Sequence, residues 1–314
     1  MVLIGTIRFN SNQLIKSESK MVFNNYKGGQ LANRIISFAH FIANSIEHQY
    51  KLVNMEFDEF EPYFESTASN DFKGYLISTI IYKNNFKSQL FRRSIRLWTD
   101  ITNKFISHLP WYTLYRIFKT HDRKGIEFDL NNEQFIKDAQ TKNVIAQGWG
   151  FRDHKNFAKH ADILRMLFIP VVKHRDAVLE LLSGIRGNTD LVYGIHIRRG
   201  DYSKFEGGKY FYSDEVYADK MMQLFEIASS QGKSCAFIIC SNEQLQTTNF
   251  PEQLQLFTGA RHPIVDMYAL AACDGIIGPP STFSGWASFY GKVPIQHIKS
   301  RDDLVQLGDY FQSV

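Results

Sequence analysis

Cysteine and proline are both scarce in this sequence. Its 314 residues include three cysteines, eight prolines and 20 glycines. The cysteines, Cys235, Cys240 and Cys273, are odd in number and no two have CxxC spacing. This pattern excludes a disulfide framework and favours a reducing, cytoplasmic location. The low proline and glycine content excludes a collagen-like or disordered chain.

Long hydrophobic runs and a strong charge of either sign are also lacking. No uncharged apolar stretch reaches the ~18 residues that a membrane-spanning helix needs, and residues 1–12 lack the flanks of a signal peptide. The net charge is only +4, below what a dedicated nucleic-acid binder shows. These features predict a soluble intracellular protein with no nucleic-acid partner, and they suit an enzyme with a local pocket for a phosphorylated substrate.

Strand-like and helix-like patterns alternate at both ends of the chain. Residues 21–26 are strand-like, a glycine turn follows, and apolar residues recur at helical spacing from Leu31 to about His48. The second half repeats the pattern, with strand-like runs at residues 191–198, 235–240 and 275–278. Helix-like runs lie between them at residues 214–230 and 266–273. This alternation predicts an α/β protein with parallel sheets and crossover helices.

A basic, aromatic stretch at residues 72–124 interrupts the alternation. One interpretation is an amphipathic surface for an anionic membrane or a glycolipid acceptor, which would place the protein at the inner face of the membrane. The other is a helical insertion whose aromatic residues are core and whose cations are solvated. We place the domain boundary beyond this stretch, within residues 171–190, after Pro170 and around Ser183 and Gly184. This gives domains of residues 1–180 and 181–314.

The first candidate motif is GIHIRRGDY, residues 194–202. An apolar strand ends in His196, Arg198 and Arg199 and then turns at Gly200 and Asp201. Ligands of open α/β sheets lie beyond the carboxyl ends of strands, and a guanidinium there is a fixed fork for phosphate oxygens. We expect Arg198 to point to the same face as His196, and Arg199 to the other. The alternative is a pair of salt bridges to acids on a neighbouring helix.

Two further segments follow strand-like runs. In GPPSTFSGW, residues 278–286, hydroxyls and backbone amides at a helix start could bind a phosphate or simply cap the helix. Ser241, Asn242 and Glu243 follow the CAFIIC strand and could contact ribose or phosphate, or cap a helix. A glycine turn at residues 27–34 permits close approach of a ligand, but it is neither GxGxxG nor a Walker loop.

Together these motifs resemble those of the fucosyltransferase superfamily, which includes bacterial α-1,2-, α-1,6- and protein O-fucosyltransferases. The run from His196 to Tyr202 is similar to the first motif of that superfamily, and Ser281–Ser284 to its downstream motif. Gly28–Asn33 resembles the amino-terminal glycine loop but departs from the GGLGNQ form of α-1,2 enzymes. Order and spacing agree over roughly residues 21–300.

The resemblance implies a GT-B architecture, in which two Rossmann-like domains with parallel sheets face each other across a cleft. The first domain would then lie on the acceptor side and the second would bind the nucleotide sugar. It also implies GDP-fucose as donor, an oligosaccharide or glycolipid as acceptor, inversion at the anomeric carbon, and no cofactor or required metal.

Roles follow for the residues that match the motifs. Arg198 would contact the donor β-phosphate with support from Arg199, His196 would lie near the guanosine, and Asp266 would read the guanine edge. The remaining expected donor-binding residues are Ser281, Thr282, Phe283, Ser284, Gly28, Gly29, Asn33 and Asn242.

Displacing GDP concentrates negative charge on the leaving pyrophosphate, which protein cations and amides must stabilise if no metal does so. An inverting transfer also favours a base for the acceptor hydroxyl. Glu206 and Asp201 are the candidates. The alternative for Glu206 is an exposed loop acid, and the alternative for Asp201 is a structural role in the turn. Two other functions stay open: transfer from another nucleotide sugar, and an inactive GT-B protein that binds at a membrane surface.

Overall fold

The computed structural model describes residues 20–80, 115–120 and 126–314. The chain divides between Ile169 and Pro170 into two compact units. The sequence placed this boundary between residues 180 and 181, a position inside the helix Val172–Arg186 of the second unit. Ser183 and Gly184, which suggested a break in the sequence, belong to the last turns of that helix.

Most of the basic stretch at residues 72–124 lies outside the described residues, so its helical or membrane-binding character stays a prediction. Its described parts include two strands, Ile77–Thr79 and Tyr115–Lys119. Within the part of the chain that the structure describes, no helix is both long enough and apolar enough to cross a membrane.

The first unit is built on a five-stranded, fully parallel sheet with the order β3-β2-β1-β6-β4. Its strands are β1 Met21–Asn24, β2 Lys51–Asn54, β3 Ile77–Thr79, β4 Tyr115–Lys119 and β6 Asn143–Gln147, while β5 Phe128–Asp129 and β7 Phe151–Arg152 form a separate parallel pair. Its helices are α1 Leu31–His48, α2 Glu65–Ser69, α3 Glu133–Thr141, α4 His154–Lys159 and α5 Ala161–Leu167.

Helix α1 matches the periodicity read from the sequence. All of its apolar residues except the half-buried Ile46 are buried, and it ends where Gln49 takes a left-handed conformation with φ of 57°. Strand β2 is buried at all four positions, as expected for a parallel strand covered on both faces.

The second unit has its own five-stranded parallel sheet, with the order β10-β9-β8-β11-β12. Its strands are β8 Leu191–Ile197, β9 Cys235–Ser241, β10 Gln255–Thr258, β11 Gly275–Gly278 and β12 Ile295–His297. Its helices are α6 Val172–Arg186, α7 Asp214–Ser230, α8 Pro263–Leu270 and α9 Thr282–Gly291. The predicted parallel α/β class is confirmed; α8 begins three residues before the predicted 266, and β10 and β12 were not predicted.

Each sheet has a switch point, the place where the order of strands reverses along the chain. In the second unit it lies between β8 and β11, and in the first between β1 and β6. Ligands of open α/β sheets bind beyond the carboxyl ends of strands at such points. The loops after β8 and β11 are the two motifs singled out in the sequence, so the topology brings them side by side.

Candidate active site

His196 lies one residue before the end of β8 and is buried. Its ring centroid is 5.1 Å from that of Phe283. Burial, with smaller contributions from Arg198 and His297, lowers the pKa of His196 to about 3. The imidazole is therefore neutral near pH 7 and suits contact with an uncharged part of a ligand better than with a phosphate.

The Arg198 guanidinium extends past the end of β8. Its Nη2 lies 3.0 Å from a carboxylate oxygen of Asp201, and its Cζ lies 5.5 Å from the centre of the Tyr202 ring. The Arg198 side chain is 16% exposed, whereas that of Asp201 is 62% exposed. Because ion pairs to exposed acids contribute little to stability, a phosphate could take the place of the Asp201 carboxylate at small cost.

Arg199 turns to the opposite side of the same motif. Its guanidinium forms an ion pair with Asp214 in the first turn of α7 and donates to the Tyr212 carbonyl oxygen at 2.6 Å. Asp214 also accepts a hydrogen bond of 2.8 Å from Asn249, and Arg199 and Asp214 are 12% and 19% exposed. Arg199 therefore has the helix salt bridge that the sequence offered as its alternative, and it positions the loop.

The serine motif forms the N-terminus of α9. Ser281 Oγ accepts from the backbone amide of Phe283 at 3.2 Å and so caps the helix. Ser284 is buried, and its hydroxyl lies 3.3 Å from both the Ser281 carbonyl oxygen and His297 Nε2. Ser284 thus faces the protein interior, whereas Ser281, Thr282 and Phe283 are half-buried at the strand end.

The ends of β8 and β11 are close together, and one hydrogen bond joins the loops that follow them. Gly278 approaches β8 so closely that a Cβ there would lie 2.6 Å from the His196 carbonyl oxygen. The buried Tyr202 donates from its hydroxyl to the Pro280 carbonyl oxygen at 2.7 Å. Sequence reasoning quoted Tyr202 within the motif but gave it no role, and it missed His297 because that residue joins the site only through tertiary packing.

Asp266 lies in the first turn of α8 and is buried. Burial raises its pKa to about 6, opposed by hydrogen bonds from the backbone amides of Ala260, Arg261 and His262. Within the described residues, its Oδ1 has no hydrogen-bond partner. A buried carboxylate oxygen without a donor is suited to a ligand that presents N–H groups.

A cavity of about 170 Å³ lies at the carboxyl ends of β9 and β10. Its lining includes Ser241, Thr258, Gly259 and Arg261. A Cβ on Gly259 would lie 2.7 Å from Asp266 Oδ1, so this cavity and the Asp266 carboxylate are immediate neighbours.

The two candidate bases occupy the loop after β8. Asp201 is held by Arg198, as described above. Glu206 is exposed and has a left-handed backbone with φ of 50° and ψ of 38°, a conformation that is uncommon for a residue other than glycine. Asn242 was predicted to contact the donor sugar nucleotide. Its side-chain oxygen accepts a hydrogen bond of 2.9 Å from the Arg199 backbone amide and so stabilises the loop of the motif.

The remaining predicted donor residues belong to the first unit. Gly28 and Gly29 form the turn between β1 and α1. Gly29 has φ of +67°, and a Cβ there would lie 2.1 Å from Asn33 Nδ2. The turn therefore requires glycine at this position.

Across residues 20–80, 115–120 and 126–314, no group of three or more His, Cys, Asp or Glu side chains could hold a metal ion.

The chain is a glycosyltransferase, as the two motifs at the switch point of the second sheet led us to expect. It belongs to glycosyl transferase family 11, whose sequence model matches residues 128–293, a little more than half of the chain. The resemblance to fucosyltransferases is thereby confirmed. No curated protein matches the chain.

Several solved structures share the fold. A mutant of FUT1 from Arabidopsis thaliana, in complex with GDP, has a TM-score of 0.55 at 14% identity over 89% of this chain and 70% of that one. POFUT1 in complex with GDP-fucose has a TM-score of 0.53 at 12% identity over 89% and 96%. The fucosyltransferase NodZ from Bradyrhizobium has a TM-score of 0.51 at 15% identity over 90% and 96%. These similarities confirm the predicted GT-B fold.

Proposed function

We propose that the protein transfers L-fucose from GDP-fucose to a sugar hydroxyl of an oligosaccharide or glycolipid, with inversion, an α-1,2 linkage and no required metal. The observation that carries this proposal is the pair of loops joined by Tyr202 at the switch point of the second sheet. One loop presents Arg198 and the other presents the N-terminus of α9. Two of the structurally similar proteins named above were solved with GDP or GDP-fucose.

The leaving diphosphate would lie between Arg198 and the start of α9. Arg198 supplies a charge-assisted hydrogen bond to a phosphate oxygen, and the amides at the helix N-terminus supply oriented donors and the positive end of the helix dipole. Both groups act on charge that grows as the sugar–phosphate bond breaks, so they favour the transition state over the bound donor.

The guanine would be read by Asp266. Guanine presents N–H donors on its Watson–Crick edge, and a carboxylate provides only acceptors. Adenine, cytosine and uracil do not present the same two adjacent donors, so the unpartnered Oδ1 of Asp266 favours a guanine nucleotide. At this end of the site the His196 ring is neutral, and Arg261 is among the residues that line the cavity beside Asp266.

The proton of the acceptor hydroxyl would pass to Glu206. Asp201 is the other candidate, but its ion pair with Arg198 engages the carboxylate and turns it towards the phosphate site. Glu206 is exposed and is held by a left-handed backbone. Changing Glu206→Gln is expected to lower turnover with little change in GDP affinity. Unchanged turnover would mean that Glu206 is only a loop acid.

Thermal stabilisation by GDP, UDP and CMP in the presence of EDTA tests the donor assignment. We expect GDP alone to stabilise the wild-type protein strongly, as binding to the folded state requires. Arg198→Ala should weaken GDP about tenfold to a hundredfold, since it removes a charged hydrogen bond. Arg301→Ala, an exposed arginine of the same unit, is the matched control. Equal stabilisation by the three nucleotides, or an unaltered response in Arg198→Ala, would refute the donor assignment.

Activity completes the test. GDP-fucose supplied with a panel of galactosides and N-acetylglucosaminides, with and without EDTA, identifies the acceptor, and the anomeric configuration of the product reports inversion. Transfer from another nucleotide sugar but not from GDP-fucose would overturn the donor while leaving the glycosyltransferase class intact.

A further inference from the structure

The carboxyl edge of the first sheet carries two amide side chains at its switch point. Asn25 and Gln147 follow the paired residues Asn24 and Ala146 of β1 and β6, and the Asn25 backbone amide donates to the Ala146 carbonyl oxygen at 2.9 Å. Side chains alternate along a strand. The Asn25 and Gln147 side chains therefore lie on the same face of two neighbouring strands.

Both amides have a buried polar atom that the described residues leave without a hydrogen bond. Asn25 is 5% exposed, and its Nδ2 has no hydrogen-bond partner. The Oε1 atom of Gln147 is also buried and also has no hydrogen-bond partner. Such atoms are destabilising in a folded protein and call for a ligand or a function. A donor and an acceptor on the same face of two neighbouring strands are together complementary to a hydroxyl group, which accepts one hydrogen bond and donates another.

An aromatic surface lies at the same edge. Trp149, two residues after β6, is half-buried, and its ring centroid lies 5.6 Å from that of Tyr26. The Arg152 guanidinium carbon lies 4.1 Å from the centre of the Trp149 ring, and the same side chain donates to the Trp149 carbonyl oxygen at 2.6 Å. These contacts fix the indole in place, which lowers the entropy cost of binding against it.

We infer that Asn25, Gln147 and Trp149 form a saccharide-binding subsite. A pyranose ring combines hydroxyl groups at its edge with an apolar C–H face, so one hydroxyl can bind both amides while the face packs on the indole. None of the three side chains is charged, and the Arg152 guanidinium beside the Trp149 ring lies 3.7 Å from the Glu127 carboxylate, which balances its charge. The subsite therefore suits a neutral sugar. The inference rests on the proposed function, because it identifies this sugar as the acceptor of the fucosyl group.

Saturation-transfer NMR tests the subsite with three probes: lactose, methyl β-galactoside and methyl N-acetyl-β-glucosaminide, each with and without GDP. We expect at least one probe to bind the wild type. Gln147→Met and Trp149→Phe should each weaken it about three- to tenfold, and Gln147→Met should not lower the melting temperature, since it breaks no internal hydrogen bond of Oε1. Gln140→Met, at an exposed position of α3, should bind as the wild type does.

Three results would overturn the subsite: no binding of any probe, equal binding by the wild type and both variants, or a clear fall in melting temperature for Gln147→Met. A GDP titration of the same samples separates this outcome from the donor question. If GDP binds and the variants do not change saccharide binding, the subsite is refuted and the proposed donor stands. Saccharide binding without GDP binding removes the proposed donor and leaves the subsite.

Discussion

Both sheets are parallel and five-stranded with a switch point beside their first strand, and their carboxyl edges differ in chemistry. In the second unit the switch point carries the ionic pair Arg198 and Asp201, and the buried Asp266 lies near the carboxyl ends of β9 and β10. In the first unit it carries the amides of Asn25 and Gln147, and Trp149 follows two residues after β6 at the same edge. The sheet sets where a ligand can lie, and the side chains at its edge set which ligand suits it. The ionic groups suit the anion of the proposed donor, and the amides suit the neutral sugar of the inferred subsite.

A finer contrast exists within the first motif. Arg198 and Arg199 are adjacent, yet one is paired with an exposed acid and the other with a largely buried one. An ion pair with an exposed partner can be exchanged for a ligand, whereas a largely buried pair holds the fold. The predictions below separate these two kinds of charge, beginning with the largest effect.

Arg199→Ala should cost the most stability. It leaves the Asp214 carboxylate, which is 19% exposed, without its cation at the start of α7, and we expect a loss of about 2–3 kcal/mol in the free energy of unfolding. Urea denaturation measures it. The matched variant Arg198→Ala should lose less than about 1 kcal/mol, and equal losses in the two variants would erase the contrast within the motif.

Asp266→Asn should stabilise the protein at pH 8 while weakening GDP. Burial raises the pKa of Asp266 to about 6, so the folded protein favours the protonated carboxyl. The resulting stability is fully present below the unfolded pKa near 4 and is lost as pH rises through 6, where the buried group must ionise. The neutral amide avoids this loss, which is of the order of 2 kcal/mol. Urea denaturation at pH 8 and pH 4 should show a gain at the higher pH that disappears at the lower one.

GDP affinity should fall as pH decreases below about 6. Protonation of Asp266 removes the acceptor for the guanine N–H groups, at up to about tenfold in affinity per pH unit. Isothermal titration between pH 5 and pH 8 measures this dependence. The phosphate of GDP also titrates in this range, so Asp266→Asn serves as the reference; parallel pH profiles in the two proteins would exclude Asp266 from the guanine site.

The smallest effect is expected for Asp201→Asn. The pair that it breaks is exposed on the acid side, so the free energy of unfolding should change by less than about 1 kcal/mol. GDP affinity should stay equal or rise, because Asp201 competes with the diphosphate for Arg198. A fall in GDP affinity would show that Asp201 supports the donor site instead of competing with the donor.

Local patterns predicted much of the fold. The spacing of apolar residues located α1, and apolar runs located β8, β9 and β11. Strands β10 and β12 are short and only partly buried, so they lack the continuous apolar run that marks a central strand. The division between the two units lies at Ile169 and Pro170, before the predicted residues 180 and 181, because a serine and a glycine are tolerated in an exposed turn of the helix Val172–Arg186.

The site was predictable where one segment carries the chemistry and not where several segments do. Arg198 and Ser281 were visible because each follows a strand within a motif. The different partners of Arg198 and Arg199 depend on where α7 packs, which no local pattern records. The unpartnered amides of Asn25 and Gln147 depend on strand register, and a single sequence does not contain it.

The hydrogen bond from Tyr202 to Pro280 has a consequence for how the donor is bound. Its two ends lie 78 residues apart in the chain, and it makes two loops into one ordered element. The conformational entropy of both loops is then lost during folding and not during the encounter with the nucleotide. Because the site is already assembled, little of the binding energy of the diphosphate is needed to order the loops. More of that energy is available to stabilise the transition state of bond cleavage.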